Sequence, residues 1–86
     1  MIQFTLYSRS YCHLCDDMLA ALQAALRADG AEHACTVQVL DVDADDALVA
    51  LYDELVPVLV GRKAGGAEQQ ICHYFLDHAK LKDFLS

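Results

Sequence analysis

The sequence has no serine- or proline-rich linker, no internal repeat and no low-complexity tract. Nothing divides its 86 residues, so a single domain over residues 1–86 is expected. It also lacks any uncharged apolar run near the roughly 20 residues that cross a bilayer. The opening MIQFTLY has neither the charged nor the apolar segment of a secretory leader, so a cytoplasmic location is expected. Basic residues are scarce. Six Lys and Arg stand against 13 Asp and Glu, a net charge of −7. Such a surface is repelled by phosphate backbones and anionic lipid, which argues against nucleic-acid and membrane partners.

What the chain has in quantity is apolar side chain, 56% of its residues. A domain of this size buries only about 60–65% of the surface its unfolded chain exposes, so those residues must be well placed. Ile2, Phe4 and Leu6 alternate with Gln3 and Thr5, which predicts a strand over residues 2–8. SRSYCHLC follows as a loop. From Cys12 to about Arg27 the period becomes helical, with Cys15, Met18, Leu19, Leu22, Ala25 and Leu26 on one stripe. Gly30 suits a left-handed C-cap. CTVQVLDV, residues 35–42, predicts a second strand, and DADD supplies capping carboxylates for a helix over residues 47–55. VPVLV, residues 56–60, predicts a third strand opened by the single proline. GRKAGG is a turn, AEQQICHYF a fourth strand, and Asp77 caps a last helix bearing Leu81, Phe84 and Leu85. The order β-α-β-α-β-β-α implies two parallel strands joined by a right-handed crossover, then an antiparallel hairpin. The expected fold class is α/β, a four-stranded mixed sheet flanked by helices.

Four cysteines occupy positions 12, 15, 35 and 72. Chance alone sets two of four cysteines three apart roughly one time in seven, so position decides whether the Cys12–Cys15 spacing has meaning. Both fall between the first strand and the first helix. Unpaired N–H groups and the helix dipole favour an anion there, which eases ionisation of the Cys12 thiol. The thiolate is the species that attacks a disulfide, and Cys15 is near enough to attack the mixed disulfide that results. A C-x-x-C near a β-α-β pattern is a redox signature. His13 between the thiols would stabilise the thiolate when charged, whereas Asp16 and Asp17 would oppose it. Cys35 and Cys72 lie in strands and are expected to be inert packing. His13, His33, His73 and His78 show no ligand spacing, and only one C-x-x-C is present, so no metal site is expected.

The segments YSRSYCHLC, DVDAD and LVPVLV together resemble the thioredoxin superfamily, and within it the glutaredoxins, over almost the whole chain. The resemblance implies a thioredoxin fold and a thiol–disulfide oxidoreductase, Cys12 the nucleophile and Cys15 the resolving thiol. It implies a cis peptide at Pro57, beside the thiols, with the backbone of Val56 presented to a substrate. Arg9 would lie near the reactive sulfur and a glutathione carboxylate, and His13 and Leu14 would flank the contact. No bound cofactor is expected. Glutathione would be a co-substrate, protein disulfides the partners, a reductase an optional partner, and the chain a monomer. The chain departs from the family where glutaredoxins usually carry Gly-Gly after the fourth strand. ICHYFLDHAKL stands there without a glycine, and Tyr74 or Phe75 would fill the groove that receives glutathione. That departure supports a second reading, a thioredoxin-fold binding module with idle thiols. It also weighs against an iron–sulfur cluster shared through glutathione.

Overall fold

The computed structural model describes residues 1–86. Four strands form one sheet: β1 (Ile2–Ser8), β2 (Cys35–Asp41), β3 (Val58–Arg62) and β4 (Gln69–His73). Their order across the sheet is β2-β1-β3-β4. β1 and β2 run parallel, from Ile2 opposite Cys35 to Ser8 opposite Asp41. β3 is antiparallel to both β1 and β4. Three helices complete the fold: α1 (His13–Ala28), α2 (Asp46–Tyr52) and α3 (His78–Leu85). The expected mixed α/β sheet and element order are therefore present.

β1 is central and carries side chains to both faces. Phe4 and Leu6 join Met18, Leu22 and Leu26 of α1, Leu59 of β3, and Leu81 and Phe84 of α3 in the main core. Tyr7 points the other way, into a smaller cluster with Val42, Val58 and Val60 under α2. β4 contributes two consecutive buried residues, Ile71 and Cys72, to the main core. A register shift allows this: Leu59 faces Cys72 while Val60 faces Gln70, leaving Ile71 as the extra residue of a bulge. α3 approaches the sheet closely at Gly61. A Cβ there would stand 2.7 Å from Phe84 Cζ and 2.9 Å from Ile71 Cδ1.

The helix ends follow the local chemistry. Cys12 is the N-cap of α1, which begins at His13, one residue later than the periodicity predicts. Gly30 has φ +68°, and Ala31 N–H donates to Leu26 C=O at 2.8 Å, closing the C-terminus as expected. Asp45 caps α2 through Ala47 N–H at 2.8 Å, and Asp77 caps α3 through Lys80 N–H at 3.0 Å. Two short 3₁₀ turns, Glu32–Ala34 and Val42–Ala44, lead into β2 and towards α2.

Three elements differ from expectation by more than a residue, the first being β4, which is Gln69–His73 and not the whole of AEQQICHYF. α2 ends at Tyr52, three residues before Leu55. The residue before a proline disfavours helical geometry, so a turn over residues 53–55 carries the chain from the helix to Val56. β3 begins at Val58, one residue after Pro57. Proline has no N–H to offer the ladder, so pairing starts beyond it.

Candidate functional site

The sheet register brings three connections to one end. β1 ends at Ser8 and leads into the loop that carries Arg9 and Cys12. Tyr7 lies opposite Val58, so Pro57 sits at the same sheet end as that loop. Val58 lies opposite His73, and Tyr74 N–H donates to Pro57 C=O at 2.9 Å. The thiol loop, the proline loop and the exit from β4 therefore share the C-terminal end of β1.

Cys12 and Cys15 are joined by a disulfide, with their Cα atoms 5.2 Å apart. That separation lies within the ordinary range for a bridge. The two sulfurs differ in access. Cys15 faces the core and is 4% exposed, whereas Cys12 is half-buried at the rim. Cys15 N–H points at Cys12 Sγ, 3.1 Å away, and the first helical bond runs from Asp16 N–H to Cys12 C=O at 3.2 Å. A thiolate on Cys12 would thus receive a backbone donor and the positive end of the α1 dipole. His13 and Leu14 are exposed beside it, and Asp16 and Asp17 are exposed one turn on.

The Val56–Pro57 peptide is cis. Pro57 is buried and Val56 half-buried. Val56 N–H is already used, donating to Tyr52 C=O at 3.2 Å. Val56 C=O accepts no hydrogen bond from the chain. Only the carbonyl of that residue is free for a partner.

Arg9 does not stand alone in the loop. Its Nε and Nη2 donate to the Asp43 carboxylate at 3.1 and 2.9 Å, and Nη2 also donates to Asp53 Oδ1 at 2.6 Å. Nη1 reaches Asp53 C=O at 3.4 Å. The hydrogen bonds to Asp43, then those to Asp53, push the guanidinium further above its already high pKa. Two carboxylates of the chain thus engage the group that the sequence set against a glutathione carboxylate. Arg9 ties the thiol loop to the turn after β2 and to the end of α2.

Two tyrosines flank the site in a conformation that side chains rarely adopt. Tyr11 has φ +59° and Tyr74 φ +65°. Each such backbone costs on the order of 1 kcal/mol or more. Tyr11, next to Cys12, is fully exposed. Tyr74 is held. Its hydroxyl donates to Glu54 C=O at 2.6 Å, and Phe75 N–H donates to His73 C=O at 2.7 Å across it. Phe75 is 69% exposed. Neither tyrosine's backbone was visible in the sequence. The one signal was Tyr74 standing where the family resemblance expects glycine, the residue that tolerates this φ.

The remaining thiols lie elsewhere. Cys72 is buried in the main core and Cys35 is half-buried at the start of the edge strand, as expected of packing residues. Burial pushes both thiols up. No cluster of three or more His, Cys, Asp or Glu is arranged to hold a metal ion. No helix is long and apolar enough to cross a membrane.

Comparison with known proteins decides the family. Residues 3–86 match the glutaredoxin-like domain (DUF836). This chain belongs to that family. A glutaredoxin-like chain of this kind is similar to a protein of Nitrosomonas europaea solved by NMR. The two are 32% identical, with 99% of this chain and 92% of that one covered and a TM-score of 0.79. It is also similar to an X. campestris protein solved by X-ray, at 34% identity, 95% and 93% coverage and a TM-score of 0.63. Oxidised mitochondrial thioredoxin 3 from Saccharomyces cerevisiae shares the fold at 17% identity, with 96% and 74% coverage and a TM-score of 0.66. No curated protein matches the sequence. The glutaredoxin-like domain here is thus a thioredoxin fold with a Cys12–Cys15 disulfide at its sheet end.

Proposed function

We propose that this protein is a cytoplasmic thiol–disulfide oxidoreductase that uses Cys12 and Cys15 as a dithiol. The observation that carries this reading is the asymmetry of the pair: a bridged couple with one sulfur at the rim, capped by a backbone donor, and the other buried behind it. The Cys12 thiolate attacks one sulfur of a substrate disulfide and expels the other as a thiolate. The Cys15 thiolate then attacks Cys12 Sγ and releases the second substrate thiol. The substrate gains two electrons and two protons, and the protein is left with the Cys12–Cys15 bridge. Two molecules of glutathione, or the dithiol of a reductase, return it to the reduced form.

The other site residues serve binding and position. Leu14 and the exposed rings of Tyr11 and Phe75 offer an apolar rim to a peptide. Val56 offers a carbonyl acceptor. His13 adds positive charge beside the sulfur whenever it is protonated. Arg9 braces the thiol loop against Asp43 and Asp53. The substrates are protein disulfides and glutathione mixed disulfides, taken up by a monomer without a bound cofactor.

The test uses reduced protein, a small mixed disulfide and either glutathione or a thioredoxin reductase. Cys12→Ser should abolish turnover. Cys15→Ser should accumulate a covalent adduct with a protein disulfide, visible by mass spectrometry. Ultraviolet absorbance against pH should show Cys12 ionising below the ordinary thiol value of about 8.5. Turnover that survives Cys12→Ser would overturn the reading. An ordinary Cys12 titration with no turnover in wild type would favour a binding module with idle thiols.

A further inference from the structure

The connection between α2 and β3, residues 53–57, has apolar anchorage only in its second half, where Leu55 and Val56 pack on the smaller cluster and Pro57 is buried. Asp53 and Glu54 are exposed, and Leu55 and Val56 are only half-buried. Hydrogen bonds from two directions hold the connection as well. On one side Arg9 donates to Asp53 Oδ1 and to Asp53 C=O. On the other, Tyr74 donates twice, its hydroxyl to Glu54 C=O at 2.6 Å and its N–H to Pro57 C=O at 2.9 Å. The two carbonyls Tyr74 grips bracket Leu55 and Val56.

The backbone at Tyr74 shows that this grip opposes local preference. Its φ of +65°, with Phe75 N–H bonded to His73 C=O, is the three-residue turn that side chains resist. Tyr11 reaches a similar φ with its ring in solvent. The ring of Tyr74 instead lies edge-on to His73, centroids 4.6 Å apart, and reaches across to Glu54. Strain of this kind persists when surrounding contacts over-determine it.

We propose that Tyr74 is a positioning residue: it straps the 53–57 loop so that the unpaired Val56 carbonyl is aimed at an N–H of an extended substrate peptide. The proposal rests on the thiol–disulfide reading and adds to it the residue that favours its peptide substrates. Because Val56 N–H is spent on Tyr52, the pairing is one-sided: the partner donates and Val56 accepts. A peptide disulfide gains from this bond. A small disulfide with no backbone N–H does not.

The decisive variant is Tyr74→Phe, which keeps the ring and the backbone and removes only the hydroxyl. Two substrates are compared, Ellman's reagent and an eight-residue peptide carrying one cysteine as a mixed disulfide. Losing one hydrogen bond that orders the loop should raise KM for the peptide by about threefold to tenfold. kcat, and the rate with Ellman's reagent, should stay unchanged. N-methylating the peptide amide that meets Val56 should raise KM in wild type and add little in the variant. Amide exchange at Leu55 and Val56, whose N–H groups both bond Tyr52 C=O, should accelerate in Tyr74→Phe. Unchanged exchange at these two amides overturns the strap, whatever the activity. Equal losses on both substrates overturn its role in peptide selection. If wild type reduces neither substrate while exchange accelerates in the variant, the strap stands and the dithiol reading falls.

Discussion

The two faces of the sheet are built by different forces. Under α1 and α3, ten buried residues interlock, from Phe4 and Leu6 to Leu81 and Phe84. Under the seven-residue α2 the buried apolar cluster is four residues, Tyr7, Val42, Val58 and Val60, and Leu51 remains 63% exposed. The Tyr7 and Tyr52 rings stack there at 4.6 Å. What the second face lacks in burial it replaces with polar ties: Arg9 to Asp43 and Asp53, and Tyr74 to Glu54. Apolar burial is non-directional and fixes whole elements, whereas hydrogen bonds fix particular groups. The helix that bears the thiols is therefore anchored by the core, and the loop that bears Val56 combines packing on the smaller cluster with side-chain donors.

Substitutions on the two faces should separate these roles. Leu22 is 0% exposed in the main core. Leu22→Ala should cost about 3–5 kcal/mol, a large share of the roughly 5–15 kcal/mol that holds a small domain. Chemical denaturation would measure it, and a cost below 1 kcal/mol would break the contrast. Gly61→Ala should cost less, about 1–3 kcal/mol, because the new Cβ meets the Phe84 ring inside a filled core. A neutral result would mean that α3 rides more loosely on the sheet than its contacts indicate.

The next effect is a pH dependence. Burial holds the Cys72 thiol protonated beyond its ordinary range. An unfolded thiol ionises near 8.5. The stabilisation is thus fully present below that pH and is lost as pH rises through the higher folded value. In oxidised protein, where Cys12 and Cys15 do not titrate, Cys72→Ala should flatten the alkaline fall in stability. Cys35, also raised by burial, and Tyr7, raised by burial and then by the charge of Glu68, contribute slope of the same sign. The smallest global effect is expected on the second face. Arg9→Met should leave the thermal midpoint nearly unchanged, since exposed ion pairs contribute little. It should still speed amide exchange at residues 53–56. A large drop in midpoint would show that the polar ties hold the fold as well as the loop.

The gross architecture was legible because it rests on local periodicity. The alternation of Ile2, Phe4 and Leu6, and the stripe from Cys15 to Leu26, correspond to β1 and α1 as observed. Asp45, Asp77 and Gly30 marked helix ends through side-chain and backbone chemistry that acts within a few residues. The bulge at Ile71 was not legible, since it depends on how β3 pairs. Nor were the partners of Arg9, which lie 34 and 44 residues along the chain.

The sequence by itself determined the order of elements, the spacing of the thiols at a strand-to-helix junction, and the single proline after α2. These follow from side-chain period and backbone propensity, which act over a turn or a strand. Only the tertiary structure decided which sulfur faces the rim, which half of the Val56 peptide is free, and what holds Arg9 and Tyr74. Those outcomes depend on strand register and on donors meeting acceptors across tens of residues, and no local rule encodes them.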